Sequence, residues 1–170
     1  MIIEIVKDRD NEKLVEFLYS NLKQEGLNYL YIENLRKKSR YVEELEIIAK
    51  IQKEIVMHIL STRVILKNFH FEEKAIFIEH ITIDDSLEEK KIDKILKYYY
   101  KLAEKLGYKY LLVKEEKRLK DKFSEMHFLS TKELNIKIKF NDKIDNIYFR
   151  AIGNKNSEDI VFSCIVEENV

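Results

Sequence analysis

The sequence predicts an α/β (α+β) fold with a mixed, mainly antiparallel sheet and helices on both faces. Apolar runs at 45–51 and 55–66 flank the polar turn 52–54, which is typical of an antiparallel hairpin. Residues 76–113 then read strand, acidic loop, amphipathic helix, glycine and strand, a unit that joins two parallel strands. Hairpins beside one such crossover indicate a mixed sheet.

The N-terminal part of the chain predicts one strand and two helices. Residues 2–6 form the strand. Asp10 is placed to cap a helix over 11–25, which ends at Gly26, and a second helix is expected over 29–38. The residues of the first helix that are expected to face the core are Leu14, Phe17, Leu18 and Leu22.

The strand over 76–83 is expected to have both faces largely covered, because apolar residues occur at both alternating sets of positions. Strict alternation places Glu79 on one face with Phe77 and Ile81, and it places His80 on the opposite face. His80 is therefore predicted to be a packed or surface histidine.

The helix after this strand is predicted from an apolar stripe at three- and four-residue steps. Gly107 is expected in the left-handed conformation that ends a helix, and a strand over 108–113 follows. The stripe comprises Ile92, Ile95, Leu96, Tyr99, Leu102, Ala103 and Leu106.

The C-terminal part predicts a short helix over 116–126, followed by closing strands over 136–140, 147–152 and 160–166. The helix residues that are expected to face the core are Leu119, Phe123 and Met126. With 170 residues, 45% of them hydrophobic, the chain is expected to form one domain over 1–170.

Composition excludes several classes of function. The 31 basic and 31 acidic residues are interspersed and sum to zero, which argues against nucleic acid or an acidic membrane as partner. No apolar stretch is long enough for a membrane span. The single cysteine, Cys164, excludes an internal disulfide, and in its apolar run it is expected to be a buried thiol. We expect a cytoplasmic protein and leave a homodimer open.

The scarcity of glycine limits the nucleotide-binding motifs that the chain can contain. It has no proline and three glycines, Gly26, Gly107 and Gly153, so no loop is glycine-rich. A dinucleotide fingerprint and a triphosphate-binding P-loop are therefore excluded. The four histidines share no metal-ligand spacing, and no metal site is predicted.

The segment ITIDDSLEEKKIDKIL resembles the central motif of the GNAT-type N-acetyltransferases. Laid without gaps, it falls on a family pattern of the form LAVDPEYQGKGIGSAL. In that family the loop carries Q/R-x-x-G-x-G/A. The three signature positions fall here on Glu88, Lys91 and Asp93.

The resemblance implies the GNAT fold and binding of acetyl-CoA as co-substrate. It implies main-chain contacts of the pantetheine arm with the strand end, and of the diphosphate with the helix start. The implied binding residues are Ile81, Thr82, Ile83, Glu88, Glu89, Lys90, Lys91, Ile92 and Asp93. The acceptor would be a small-molecule or peptide amine of unknown identity.

The same resemblance implies Glu79 as the base, since the family often draws a carboxylate from this strand. If the side chain is buried, its pKa is expected to rise. The alternative is a glutamate at an edge or paired with a lysine. At the position where the family often has an acidic tyrosine, this chain has Phe123, and Tyr99 in the run 98–100 is expected in the core.

The helix start admits two interpretations. Ser86 and Glu89 have the spacing of a capping box, which would satisfy donors that an active family member offers to phosphate. Asp84, Asp85 and Glu88 add further carboxylates, and Lys90 and Lys91 compensate in part. Two functions therefore stay open: an N-acetyltransferase, or a catalytically weakened GNAT-fold binding or regulatory module.

Overall fold

The computed structural model describes residues 1–9, 11–67, 72–114, 119–130, 137–139, 147–152 and 165–168. The helices are α1 (Glu12–Gln24), α2 (Tyr29–Arg36), α3 (Glu89–Lys105) and α4 (Lys120–Glu125). The strands are β1 (Ile2–Ile5), β2 (Ile47–Ile51), β3 (Glu54–Lys67), β4 (Glu72–Ile83), β5 (Tyr110–Lys114), β6 (Leu129–Ser130), β7 (Lys137–Lys139), β8 (Ile147–Ala151) and β9 (Ile165–Glu168).

The strands form one mixed sheet in the order β1-β2-β3-β4-β5-β8-β6, with β9 paired to β3 and β7. The pairings are antiparallel except for β4 with β5 and β7 with β9. The parallel pair β4–β5 is joined by α3, as a crossover requires. The mixed, mainly antiparallel sheet is therefore confirmed.

The predicted hairpin is the pair β2–β3, and its turn has two residues rather than three. Ile51 pairs with Glu54, and both turn residues have positive φ, 51° at Gln52 and 71° at Lys53. Left-handed conformations at both positions match the right-handed twist of the flanking strands. The turn thus forms without the glycine that usually relieves this strain.

Helix α1 is capped by Asn11, whose side chain accepts from the backbone N–H of Leu14 at 3.4 Å. The prediction of Asp10 as the cap is therefore wrong, because the neighbouring residue takes that position; Asp10 itself lies outside the described residues. Gly26 ends the helix with φ +73°. Leu14, Leu18 and Leu22 are buried as predicted, and Phe17 is half-buried.

The two faces of the sheet pack against different helices. Helices α1 and α2 cover one face, through Leu14, Leu18, Leu22, Ile32 and Leu35 against Ile48, Ile55 and Leu60. Helices α3 and α4 cover the other, through Ile92, Ile95, Leu96, Tyr99, Ala103, Leu119 and Phe123 against Ile47, Ile59, Ile76 and Ile78. Helices on both faces are thus confirmed, and Tyr99 is a core residue.

Several predicted boundaries shift in the structure. Strand β4 starts at Glu72 rather than at residue 76, and α4 ends at Glu125, one residue before the predicted end; residues 116–118 of the predicted helix lie outside the described residues. The prediction that Leu106 belongs to the core is wrong, because this residue follows the last residue of α3 and is 42% exposed. Gly107 has the predicted left-handed φ, +83°. Cys164 and Gly153 lie outside the described residues.

A buried ion-pair cluster fixes α2 to the sheet. The cluster comprises Glu46, Arg36, Tyr41 and His58. Arg36 Nη2 donates to Glu46 Oε1 at 2.6 Å, His58 Nε2 lies 2.8 Å from the same oxygen, and the Tyr41 hydroxyl donates to Oε2. Burial raises the pKa of Glu46, but hydrogen bonds with His58 and Arg36 lower it more, to about 2.

None of the helices in the described part of the chain has the length and apolar character that crossing a membrane requires.

Candidate functional site

A β-bulge in β4 lies at the centre of the candidate site. Leu60 pairs with His80 and Ser61 with Ile78, so Glu79 is an extra residue on β4. A bulge turns two successive side chains toward one face and breaks the alternation of the strand.

The bulge corrects the predicted faces of β4. Glu79 contacts Thr62, which pairs with Phe77, and the ring of His80 contacts Tyr31 of α2 at 5.6 Å between centroids. Ile81 instead packs in the core under α3. The predictions that Glu79 shares a face with Ile81, and that His80 lies opposite, are therefore wrong. Both side chains lie on the face of α1 and α2.

Strand β4 continues past the end of its pairing with β5. The last β4–β5 pair is Ile78 with Val113, whereas β4 keeps pairing with β3 up to Ile83 opposite Met57. No described pairing covers the β5 side of Ile81–Ile83, so its backbone groups form an open strand edge there. Such an edge can bind an extended chain by main-chain hydrogen bonds, as an added strand does.

A cavity of about 190 Å³ lies on the α1–α2 face of this open edge. It is bounded by the α1–α2 connection, by α2, by the bulge of β4 and by the end of β5. Its lining residues are Glu25, Leu27, Tyr31, Ile78, Glu79, His80, Ile81, Val113 and Lys114. The bulge therefore places two chemically active side chains, Glu79 and His80, in one cavity.

Glu79 is buried and held by cationic partners. Its Oε1 accepts from Thr62 Oγ1 at 2.8 Å and from Arg40 Nη2 at 3.4 Å, and Lys38 Nζ lies 3.7 Å away. The alternative of a glutamate paired with a lysine thus describes part of its surroundings. These contacts with described residues are all made by Oε1, so a ligand can bind at Oε2.

His80 is buried to 9% exposure, and no described residue forms a hydrogen bond with its Nε2. The nearest acidic oxygen is Oε2 of Glu25, at 3.7 Å. Burial lowers the pKa of His80 to about 3, with smaller contributions from the charges of His58 and Lys114. The imidazole is therefore neutral near pH 7.

The start of α3 differs from the predicted capping box. Ser86 donates its backbone N–H and its hydroxyl to Asp84 Oδ1, at 2.8 Å and 2.5 Å, so both are engaged in the loop. The N-cap residue is Glu88, whose side chain forms no capping hydrogen bond. The prediction that Ser86 and Glu89 cap each other is therefore wrong, because the Asp84 turn competes for Ser86.

The absence of a side-chain cap at Glu88 suits an anion at the helix start, because the first N–H groups keep the favourable end of the helix dipole. The side chain of Lys91 is half-buried beside Glu88, with Nζ 2.5 Å from Glu88 Oε1. This side chain lies where the family pattern has glycine.

The carboxylates around the helix start are largely paired. Lys122 of α4 places its Nζ 3.6 Å from Glu89 and 3.5 Å from Asp93, as well as 3.0 Å from Glu125. These partners raise the pKa of Lys122. The repulsion that a diphosphate would meet is thereby reduced, although Glu89 stays mostly exposed.

Neither Phe123 nor Tyr99 can serve as the acidic tyrosine of the family. Phe123 is buried in the core against Phe128 and Tyr148. Tyr99 is fully buried, its hydroxyl lies 2.5 Å from Ser61 Oγ, and burial raises its pKa. It lies on the α3 face, away from the cavity.

The structure adds Glu25, Tyr31, His80 and Lys114 to the residues that the sequence singled out. Only His80 had a sequence signal, its position next to Glu79, and the assumed alternation directed it away from the site. The residues Ile81–Ile83 and the start of α3 lie along one continuous path, as the sequence predicts, because β4 leads directly into α3.

No protein-family model matches this sequence, and no curated protein matches it. Solved structures do. A GNAT family N-acetyltransferase (YhbS) from Escherichia coli, crystallised with CoA, superposes with a TM-score of 0.68 at 7% identity, over 98% of this chain and 89% of that chain.

Two further solved structures show the same likeness. An acetyltransferase of the GNAT family from Staphylococcus aureus Mu50 gives a TM-score of 0.64 at 17% identity, over 89% of this chain and 99% of that chain. The aminoglycoside 6'-N-acetyltransferase from Enterococcus faecium gives 0.60 at 12% identity, over 92% and 100%. The chain therefore has the fold of the GNAT acetyltransferases, and the resemblance drawn from the central motif is confirmed at the level of fold.

Proposed function

We propose that this protein is an acyl-CoA-dependent N-acetyltransferase, which transfers an acetyl group from acetyl-CoA to the amine of a small molecule or peptide. One observation carries the proposal. The open edge of β4 adjoins a bulge that places the carboxylate of Glu79 in a cavity. The similar E. coli protein was crystallised with CoA.

The described residues fit the pantetheine arm of acetyl-CoA. The side chains of Ile81 and Thr82 are buried and that of Ile83 is half-buried, so backbone groups of this edge are what a ligand would meet. Main-chain contacts do not depend on particular side chains, which is consistent with the lack of a family signature here.

The diphosphate would lie at the start of α3, near the residues Glu88, Glu89, Lys90, Lys91, Ile92 and Asp93. The uncapped N–H groups favour it, whereas the Lys91 side chain and the exposed Glu89 oppose it. We therefore expect weak binding, with a dissociation constant no better than roughly tens of micromolar, or about −6 to −7 kcal/mol.

In this proposal Glu79 is the base. Thr62 and Arg40 fix Oε1, which orients the carboxylate, and Oε2 takes a proton from the protonated acceptor nitrogen, which then attacks the acyl carbon and loses its second proton to solvent. Acetyl-CoA supplies the thioester carbonyl. Since Phe123 has no hydroxyl, the departing thiolate takes its proton from solvent.

A second function, a GNAT-fold binding or regulatory module, is favoured by one observation. The three signature positions carry Glu88, Lys91 and Asp93, and the tyrosine position carries Phe123. Such a module would keep the fold and the cavity without transferring an acetyl group.

Titration calorimetry with acetyl-CoA tests the proposal. We expect a measurable heat and, in parallel, a rise in melting temperature, since a ligand of the native state stabilises it by mass action. Desulfo-CoA controls for adventitious reaction at the thioester. No heat and no thermal shift at millimolar acetyl-CoA would end the enzyme proposal, and binding without acetylation of any amine would favour the module.

A further inference from the structure

The Nε2 nitrogen of His80 is a buried polar atom that the proposed chemistry does not use. The ring is 9% exposed, lines the cavity, and no described residue forms a hydrogen bond with Nε2. A buried nitrogen without a partner is unfavourable unless a ligand or water satisfies it. The position of the atom in a cavity therefore indicates a ligand contact.

Two carboxylates accompany this nitrogen in the cavity. Glu25, directly after α1, has Oε2 at 3.7 Å from His80 Nε2. Glu79 precedes His80 in the bulge, so that both side chains lie on one face. Three hydrogen-bond acceptors, on Glu25, Glu79 and His80, therefore line the same cavity.

The positive charges near the cavity belong to Lys38, Arg40 and Lys114. Lys38 and Arg40 contact Oε1 of Glu79, and the exposed Lys114 lies at the end of β5. His80 itself is neutral, because burial disfavours the imidazolium. A cation that enters beside Glu25 therefore meets no positive charge on the ring.

We propose that His80 determines acceptor specificity: its Nε2 and the Glu25 carboxylate bind two N–H groups of a protonated primary alkylamine, and Glu79 accepts the third proton, which frees the lone pair that attacks the thioester. The inference rests on the proposed function. It requires the tautomer of His80 with its proton on Nδ1, so that Nε2 accepts. A secondary amine has one N–H fewer, leaves one acceptor unpaired and is selected against.

A binding experiment tests this contact without turnover. The protein, labelled with ¹⁵N in its histidines, is titrated near neutral pH with butylamine, N-methylbutylamine and butanol. The Nε2 resonance of His80 is assigned by its loss in His80→Phe. Butylamine is expected to shift it in a saturable way, N-methylbutylamine to bind about three- to tenfold more weakly, and butanol to have no effect.

Variants separate His80 from its surroundings. Glu25→Gln is expected to weaken butylamine binding about threefold or more, whereas Glu16→Gln, an exposed change on the preceding helix α1, leaves binding unchanged. In acetyl transfer, His80→Phe should raise the KM of butylamine more than it lowers kcat, and His80→Gln should restore part of the loss. Should His80→Phe not fold, His80→Gln and Glu25→Gln supply the comparison.

The outcomes distinguish this inference from the proposed function. If the Nε2 resonance of His80 does not shift with butylamine, or if butylamine and N-methylbutylamine bind with equal affinity, the proposed role of His80 is overturned even when acetyl-CoA binds. Saturable butylamine binding without any acetyl-CoA binding overturns the proposed transferase and retains His80 as an amine-binding residue.

Discussion

Replacement of Glu46 by glutamine is expected to lower the free energy of unfolding of this protein by several kcal/mol, about 3–5. Glutamine preserves the shape of the side chain but removes the charge that faces Arg36, whose side chain is 5% exposed. Removal of one partner from a buried ion pair costs about 3–5 kcal/mol, because the remaining charge stays desolvated.

The lowered pKa of Glu46 leads to a similar value for the stabilisation. A decrease from 4.5 to about 2 corresponds to about 3 kcal/mol, at about 1.4 kcal/mol for each tenfold change in proton affinity. Because the folded pKa is below the unfolded one, this stabilisation is present above pH 4.5 and is lost as the pH falls toward 2. About 2 kcal/mol of it should be gone by about pH 3.

Urea denaturation followed by circular dichroism measures the effect. Glu46→Gln should lower the free energy of unfolding by about 3 kcal/mol at about pH 7, and its difference from the parent protein should shrink below about pH 4.5. The neighbouring Glu44→Gln is the matched control, since Glu44 is exposed. A loss under about 1 kcal/mol, or a difference that stays constant down to about pH 3, would refute the reasoning.

Two further predictions concern the site. Glu79→Gln should lower acetyl transfer by about 10²–10⁴-fold while acetyl-CoA binding in calorimetry changes little, and unchanged turnover would remove Glu79 from the mechanism. Glu89→Gly combined with Lys91→Gly should tighten acetyl-CoA binding, because it opens the backbone and removes an exposed carboxylate that occupies Lys122. Each glycine should also destabilise the helix by about 0.5–1 kcal/mol, and added acetyl-CoA should restore the melting temperature. A double variant that binds no better would contradict the view of this loop as a phosphate site.

Local patterns predicted much of the fold. The stripe of α3 and the stop at Gly107 follow from helical periodicity and from the one residue type that adopts a left-handed φ without strain, and both are present. The hairpin β2–β3 follows from two apolar runs around a polar turn. These features depend on residues close together in the sequence.

The site was harder to predict because its geometry depends on distant pairings. The bulge at Glu79 arises from the register between β3 and β4, which the alternation of a single strand does not reveal. The partners of Glu79 include Arg40, 39 residues away. The predicted cap of α3 was wrong for a different reason. Asp84 and Glu89 compete for hydrogen bonds from Ser86, and the carboxylate nearer in sequence, Asp84, accepts them.

The bulge in β4 also determines which face of the sheet each following residue of the strand occupies. Residues up to Ile78 and residues from His80 onward follow the same alternation only if one position is skipped. Deletion of Glu79 would join the two halves in phase and leave His80 opposite Leu60 on the α1–α2 face, so the cavity would keep the imidazole and lose the carboxylate. The length of the strand at this point therefore decides whether one or both of these side chains line the cavity.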